Sequence, residues 1–187
     1  APRAGSRAVA TRATDWPQAP RRLHTRPMII REAQLADADG IADVLRQIAE
    51  LARVVPTEKP AAVARVSRQL STALASGQST VWVALSAAGA VAGYCSAHWV
   101  PFLFMPGCEG YISELFLAPT ARGGGMGAAL LQAAEAEARR RGCARLGLLN
   151  DRDRESYQRH FYAKHGWTER PTMASFVRPL PGTPDIA

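Results

Sequence analysis

Hydrophobic and polar residues alternate along the chain with two periods, and the switches between them outline the elements. Met28, Ile29 and Ile30 begin a strand-like run that ends near Ala33. Asp37 then stands in capping position before a helical pattern in which Ile41, Val44, Leu45, Ile48 and Leu51 share one face. Pro60 suits the first turn of a second helix, with Val63, Val66, Leu70 and Leu74 in line. Residues 79–85 and 90–99 return to strand character on either side of a turn at Ala88 and Gly89, and residues 111–117 form a further apolar run. A helix over 128–141 follows, with Leu130, Leu131, Ala134 and Ala138 at helical spacing and Glu135/Arg139 and Glu137/Arg141 as i,i+4 pairs. Residues 143–149 read as another strand, and Tyr157 and Phe161 share a face of a last helix that leads into final strands. This order predicts an α+β fold built on a mixed sheet.

Two stretches fall outside the pattern. Residues 98–107 are apolar but carry Pro101 and Pro106, which predicts a loop or irregular edge in place of regular pairing. Such a segment is either a wall of a binding pocket, or a satellite core cluster or subunit contact. Residues 1–27 mix Ala, Arg, Pro, Ser and Thr without periodicity and read as a disordered, arginine-rich extension, of transit-peptide composition or upstream of a start at Met28. Residues 28–187 read as a single domain.

Composition changes the picture in one respect. The chain of 187 residues carries a formal charge of +7, which at first suggests a nucleic-acid partner. Arg3, Arg7, Arg12, Arg21, Arg22 and Arg26 against Asp15 place +5 of it in residues 1–27, leaving +2 for the rest. A nucleic-acid surface on the folded part is therefore unsupported. Cys95, Cys108 and Cys143 are odd in number and lack C-x-x-C spacing, so neither a disulfide framework nor a zinc site is expected, and a reducing cytoplasm is the default. No apolar run is long enough for a membrane span.

The candidate chemistry lies where the run 111–117 passes through Ala118, Pro119, Thr120 and Ala121 into Arg122-Gly123-Gly124-Gly125-Met126-Gly127 and then a helix. A helix N-terminus presents unpaired backbone N–H groups and a partial positive charge, and glycines clear the approach, so the junction reads as a phosphate or pyrophosphate cradle. A P-loop would need Gly-Lys-Ser or Gly-Lys-Thr, and Met126-Gly127-Ala128 stands there instead. A dinucleotide fingerprint can be spelled with Gly123, Gly125 and Ala128 and a later Asp151, but Pro119 and its neighbours separate strand from glycines, and too little chain follows for a doubly wound sheet.

Arg122-x-x-Gly125-x-Gly127 after a strand ending Leu117-Ala118-Pro119 resembles the Q/R-x-x-G-x-G/A motif of the GNAT superfamily of acyl-CoA-dependent N-acetyltransferases. Phe161-Tyr162-Ala163-Lys164-His165-Gly166-Trp167 is similar to that family's late F-Y-x-K-x-G-[FW] segment. The resemblance implies a mostly antiparallel central sheet flanked by helices, with a splayed parallel strand pair holding the CoA arm. It implies acetyl-CoA as cosubstrate, no metal, and direct attack by a primary amine in a ternary complex. The amine belongs to a small molecule or a peptide.

By the same resemblance, the pantetheine arm pairs with backbone at Phe116 and Leu117. The pyrophosphate sits on the N–H groups of Arg122, Gly123, Gly124, Gly125, Met126, Gly127 and Ala128, and Tyr162 is the acid toward the CoA sulfur. Many relatives carry an asparagine seven or eight residues before that tyrosine. Here Arg154 and Glu155 occupy those positions, and Asn150, at the end of the preceding strand, is the candidate for reaching the arm. Glu114 is the candidate base, and His98, His160 and His165 read as packing or surface residues. Two alternatives stay open: a non-catalytic acyl-CoA-binding module, and an RNA-associated acetyltransferase using the basic tail. A homodimer is left open too.

Overall fold

The fold is that of a computed structural model, which describes residues 28–178, 180 and 181. The expectation for residues 1–27 lies outside the described residues. Strand β1 (Ile29–Glu32) leads through a 3-10 turn, Leu35–Asp37, into helix α1 (Ala38–Arg46), and helix α2 (Lys59–Ser76) follows. Strands β2 (Ser79–Leu85), β3 (Val91–Pro101) and β4 (Cys108–Leu117) come next, then helix α3 (Met126–Arg140) and strand β5 (Arg145–Leu148). Two single turns, α4 (Glu155–Gln158) and α5 (Phe161–Lys164), complete the regular structure.

The five strands form one sheet in chain order, antiparallel from β1 to β4 and parallel between β4 and β5. Alternation along the strands divides the core between its two faces. Trp82, Cys95, Ala97, Trp99 and Ile112 pack with Leu130, Leu131, Ala134 and Ala138 of α3. Val81, Val83 and Tyr94 pack on the other face with Ile41 and Val44 of α1 and Leu70 of α2.

Several expectations are corrected. Asp37 makes no capping bond to α1. Its carboxylate accepts the Gln34 N–H at 2.7 Å and both terminal nitrogens of Arg31 at 2.7 and 2.8 Å, so it ties the 3-10 turn to β1. The first helix ends at Arg46, and Ile48 is buried outside it, next to a second 3-10 turn (Ala49–Leu51). On α2 Leu70 is buried as expected, but Leu74 is exposed and Ala62 is buried in addition. Pro101 does not end β3 early. It is the last residue of that strand and pairs with Cys108, so only residues 102–107 form the loop. His160, at φ 55° in the left-handed region, breaks the expected last helix into α4 and α5. No strand follows Trp167 among the described residues.

The cysteine expectation is also overturned, because Cys108 and Cys143 form a disulfide with Cα atoms 4.3 Å apart. Their separation of 35 residues hides the pairing in the sequence. The parallel β4–β5 pairing brings them together, since Cys108 opens β4 and Cys143 lies just before β5. The expectation of a reducing compartment rested on the lack of such a pair and loses that support.

Candidate active site

Pairing between β4 and β5 runs from Glu109–Arg145 to Ile112–Leu148 and stops there, while β4 continues to Leu117. The two parallel strands therefore separate, and β4 has an open edge over residues 113–117. Strand alternation decides which backbone groups face this edge. The Ala118 N–H donates to Ala92 O of β3 at 2.9 Å, and Phe116 lies opposite Tyr94 with its carbonyl against β3. The N–H and C=O groups of Leu115 and Leu117 are left for the gap. Of the two expected backbone partners, Leu117 presents its main chain there and Phe116 only its ring.

A cleft of about 270 Å³ fills the gap, lined among others by Ser113, Phe116, Leu117, Arg122, Gly127, Asn150 and Tyr162. At its mouth Gly125 is the N-cap of α3, and the helix's first backbone bond runs from the Ala129 N–H to Gly125 O at 3.0 Å. Among the described residues, the N–H groups of Gly123, Gly124, Gly125, Met126, Gly127 and Ala128 have no acceptor. Gly123 and Gly125 hold φ values of 80° and 84°, which a side chain would strain. No heavy atom lies within 4 Å of where a Cβ on Gly123 would stand. The free donors, the open approach and the positive helix end fit a CoA pyrophosphate. Gly127 has a different reason to be glycine, since it is buried and an added Cβ would stand 3.3 Å from Phe161 Cζ and 3.5 Å from Leu117 Cδ1.

Arg122, Arg154 and Arg159 gather at the same mouth, with Arg122 Nη1 3.3 Å from Glu155 Oε2. That pair is exposed, so it is weak and free to exchange partners. Arg154 lies over the Phe116 ring and Arg159 over the Phe161 ring, at 5.3 and 5.1 Å from the centroids. The Asn150 side-chain oxygen accepts from Ser156 Oγ at 3.0 Å, while its buried Nδ2 has no partner. A donor left unpaired beside the cleft fits an acceptor atom supplied by a ligand arm.

Tyr162 is held edge to face between Phe161 and Trp167, at centroid distances of 5.0 and 6.0 Å, and Trp167 Nε1 donates to Glu135 Oε1 of α3 at 3.1 Å. Burial, helped by the nearby Cys95 thiol, pushes the Tyr162 phenol up to about 12, and Arg154 and Arg159 pull it back. Its hydroxyl therefore keeps its proton at neutral pH.

Glu114 does not line the cleft. It sits beside it on the α1 and α2 face of the sheet, opposite Ser96 and next to Tyr94. The carboxylate is reached by solvent but sits in a recess, and loss of water raises its pKa against a lowering by the Tyr94 phenol. The structure thus collects Phe116, Leu117, Arg122, Gly127, Asn150 and Tyr162 in one cleft and leaves Glu114 at its flank. Ser113, Arg154 and Arg159 were missed. Their signal is the neighbourhood of the two motifs, which sequence spacing alone cannot resolve into one wall.

The sequence profile of the acetyltransferase (GNAT) family matches residues 45–167, a span that contains the splayed strands, the cradle and the Tyr162 segment. The chain belongs to the GNAT family of acetyltransferases.

No curated protein sequence matches it. Solved structures agree with this GNAT chain in fold. A transcriptional regulator from Bacillus halodurans is 22% identical with a TM-score of 0.73, covering 82% of this chain and 100% of its own. Glucosamine-6-phosphate N-acetyltransferase from Arabidopsis thaliana is 19% identical with a TM-score of 0.63, over 81% and 98% of the two chains. An aminoglycoside acetyltransferase from an uncultured soil metagenomic sample, in complex with trehalose, is 17% identical with a TM-score of 0.66, over 82% and 96%. The GNAT acetyltransferase has no described helix long and apolar enough to cross a membrane, and no described group of three His, Cys, Asp or Glu that could hold a metal.

Of the two readings left open for the apolar segment before β4, the structure does not support a pocket wall. Residues 102–107 lie at the Cys108 end of β4, about 30 Å from Leu117 at strand rise, and line no part of the cleft.

Proposed function

We propose that the enzyme transfers an acetyl group from acetyl-CoA to a primary amine by direct attack in a ternary complex. The observation that carries this reading is the meeting of the glycine cradle, the open edge of Leu117 and the Tyr162 phenol around one cleft. Acetyl-CoA, when bound, supplies an acyl group activated as a thioester.

The remaining work falls to the chain. The N–H groups at the start of α3 and the side chain of Arg122 hold the pyrophosphate. Asn150 Nδ2 and the Leu117 backbone hold the arm, and the Leu117 N–H polarises the acyl oxygen, where charge develops. Tyr162 Oη donates its proton at the sulfur, and Glu114 accepts one from the amine, directly or through water. A covalent enzyme intermediate is disfavoured by the cysteines, since Cys108 and Cys143 are bonded to each other and burial pushes the Cys95 thiol up to about 12.

The test is thiol release from acetyl-CoA across a panel of small amines, amino acids and peptide N-termini. Amine-dependent release with sequential kinetics is expected. CoA binding without turnover on any amine would indicate an acyl-CoA-binding module instead.

A further inference from the structure

An alkyl ammonium must lose one proton before its nitrogen can attack and a second as the amide forms, whereas sulfur takes back only one. The site proposed above assigns one acceptor, Glu114. The sheet supplies another. Between Ser96 and Ala97 the β3–β4 register shifts, so Ser113 is the extra residue of a β-bulge. Bulges re-aim side chains, and here Ser113 reaches the face that carries Glu114 while still lining the cleft. Its Oγ lies 2.9 Å from His98 Nε2, and His98 Nδ1 lies 2.9 Å from Ser79 Oγ on β2. The imidazole is thus gripped at both nitrogens between two hydroxyls, one of them in the cleft.

We infer that Ser113 and His98 form a proton relay that serves the acceptor amine. The inference rests on the acetyl-transfer reading. An N–H bond of the ammonium breaks, its proton joins Ser113 Oγ, and the hydroxyl's own proton passes to His98 Nε2. The freed electron pair on nitrogen makes the new N–C bond, and Glu114 takes the second proton. The pair of the breaking C–S bond leaves on sulfur, where Tyr162 supplies a proton. One of the two collected protons returns to Tyr162 and the other goes to solvent. Ser113 is the residue that meets substrate, and His98 acts through it.

The arrangement makes a demand on the tautomer. Ser113 Oγ also lies 3.4 Å from Ser96 O, so its one proton can point to Ser96 or to His98. A relay that starts at Ser113 requires the proton to point to Nε2, with Nδ1–H donated to Ser79 Oγ.

Two measurements test this. Nitrogen-15 NMR of the histidine ring in the free protein at pH 8 should show His98 protonated at Nδ1, and Nε2–H would overturn the relay. With an amine that the wild type acetylates, Ser113→Ala and His98→Gln should each lower kcat roughly 10²-fold with KM for acetyl-CoA unchanged. Ser113→Thr, which keeps the hydroxyl, should recover most of the loss, and the double variant should lose no more than either single one. Wild-type kcat in His98→Gln alongside an active parent overturns the relay alone. An inert parent with every amine overturns the transferase reading and the relay with it.

Discussion

A Cβ on Gly127 would stand 3.3 Å from Phe161 Cζ, inside the 3.5 to 4.0 Å at which carbon atoms pack best. The second residue of α3 is thereby seated directly on the segment that carries Tyr162, and the same glycine backs onto Leu117 at the open end of β4. These two contacts join the glycine-rich start of α3, the open edge of β4 and the segment of the proposed acid.

Gly127→Val should therefore act through packing. Overfilling of this kind costs about 1 to 3 kcal/mol, and displacement of Phe161 would carry Tyr162 with it. A melting temperature lowered by several degrees together with reduced kcat is expected. An unchanged melting curve would show that the Phe161 ring can move aside freely.

Gly124 offers a cleaner probe of the cradle than Gly125, because it does not occupy the left-handed region and an added Cβ meets nothing closer than Ala121 O at 3.9 Å. Gly124→Glu should weaken CoA binding more than about tenfold by setting a carboxylate among the donors meant for phosphate. Gly124→Ala should bind nearly as the wild type. Calorimetric titration with CoA decides, and equal affinity of the Glu variant would remove the pyrophosphate from this site.

Tyr162→Phe removes the donor and keeps the ring between Phe161 and Trp167. The expected loss in kcat is roughly 10²- to 10⁴-fold with CoA affinity retained. The sign of the pH effect follows from the phenol lying near 12, where burial raises it. Its acid form persists as pH rises, so kcat should show no alkaline fall from this group up to about pH 10. A limb near neutrality that disappears in the Phe variant would show a phenol of much lower pKa than the fold implies.

The Cys108–Cys143 bond closes a loop across the Cys108 end of the parallel pair, where Ala144 N–H also donates to Cys108 O at 2.8 Å and Gly107 packs against Gly142 O. Reduction should cost about 2 to 4 kcal/mol, seen as a lower denaturant midpoint in dithiothreitol, and Cys108→Ser should reproduce the shift. Three reactive thiols in the denatured, unreduced protein would contradict the pairing.

The sequence by itself determined the order of strands and helices as far as β5, the strand-to-glycine-to-helix junction at residues 117–128 and the segment that places Tyr162 before Gly166 and Trp167. Each is written in residues a few positions apart, where periodicity, caps and glycines act through local sterics and hydrogen bonding. The splay could be named only through a family resemblance, because its cause is that β5 ends at Leu148 while β4 runs on to Leu117. Only the tertiary structure decided that His98 and Ser113 are hydrogen-bonded across a bulge, that Cys108 meets Cys143, that Phe116 spends its backbone on β3, and that residues 102–107 line no part of the cleft. Those relationships depend on which strands lie side by side and in what register. A shift of one residue exchanges the faces of every side chain in a strand, and no pattern within a single strand records its partner's register.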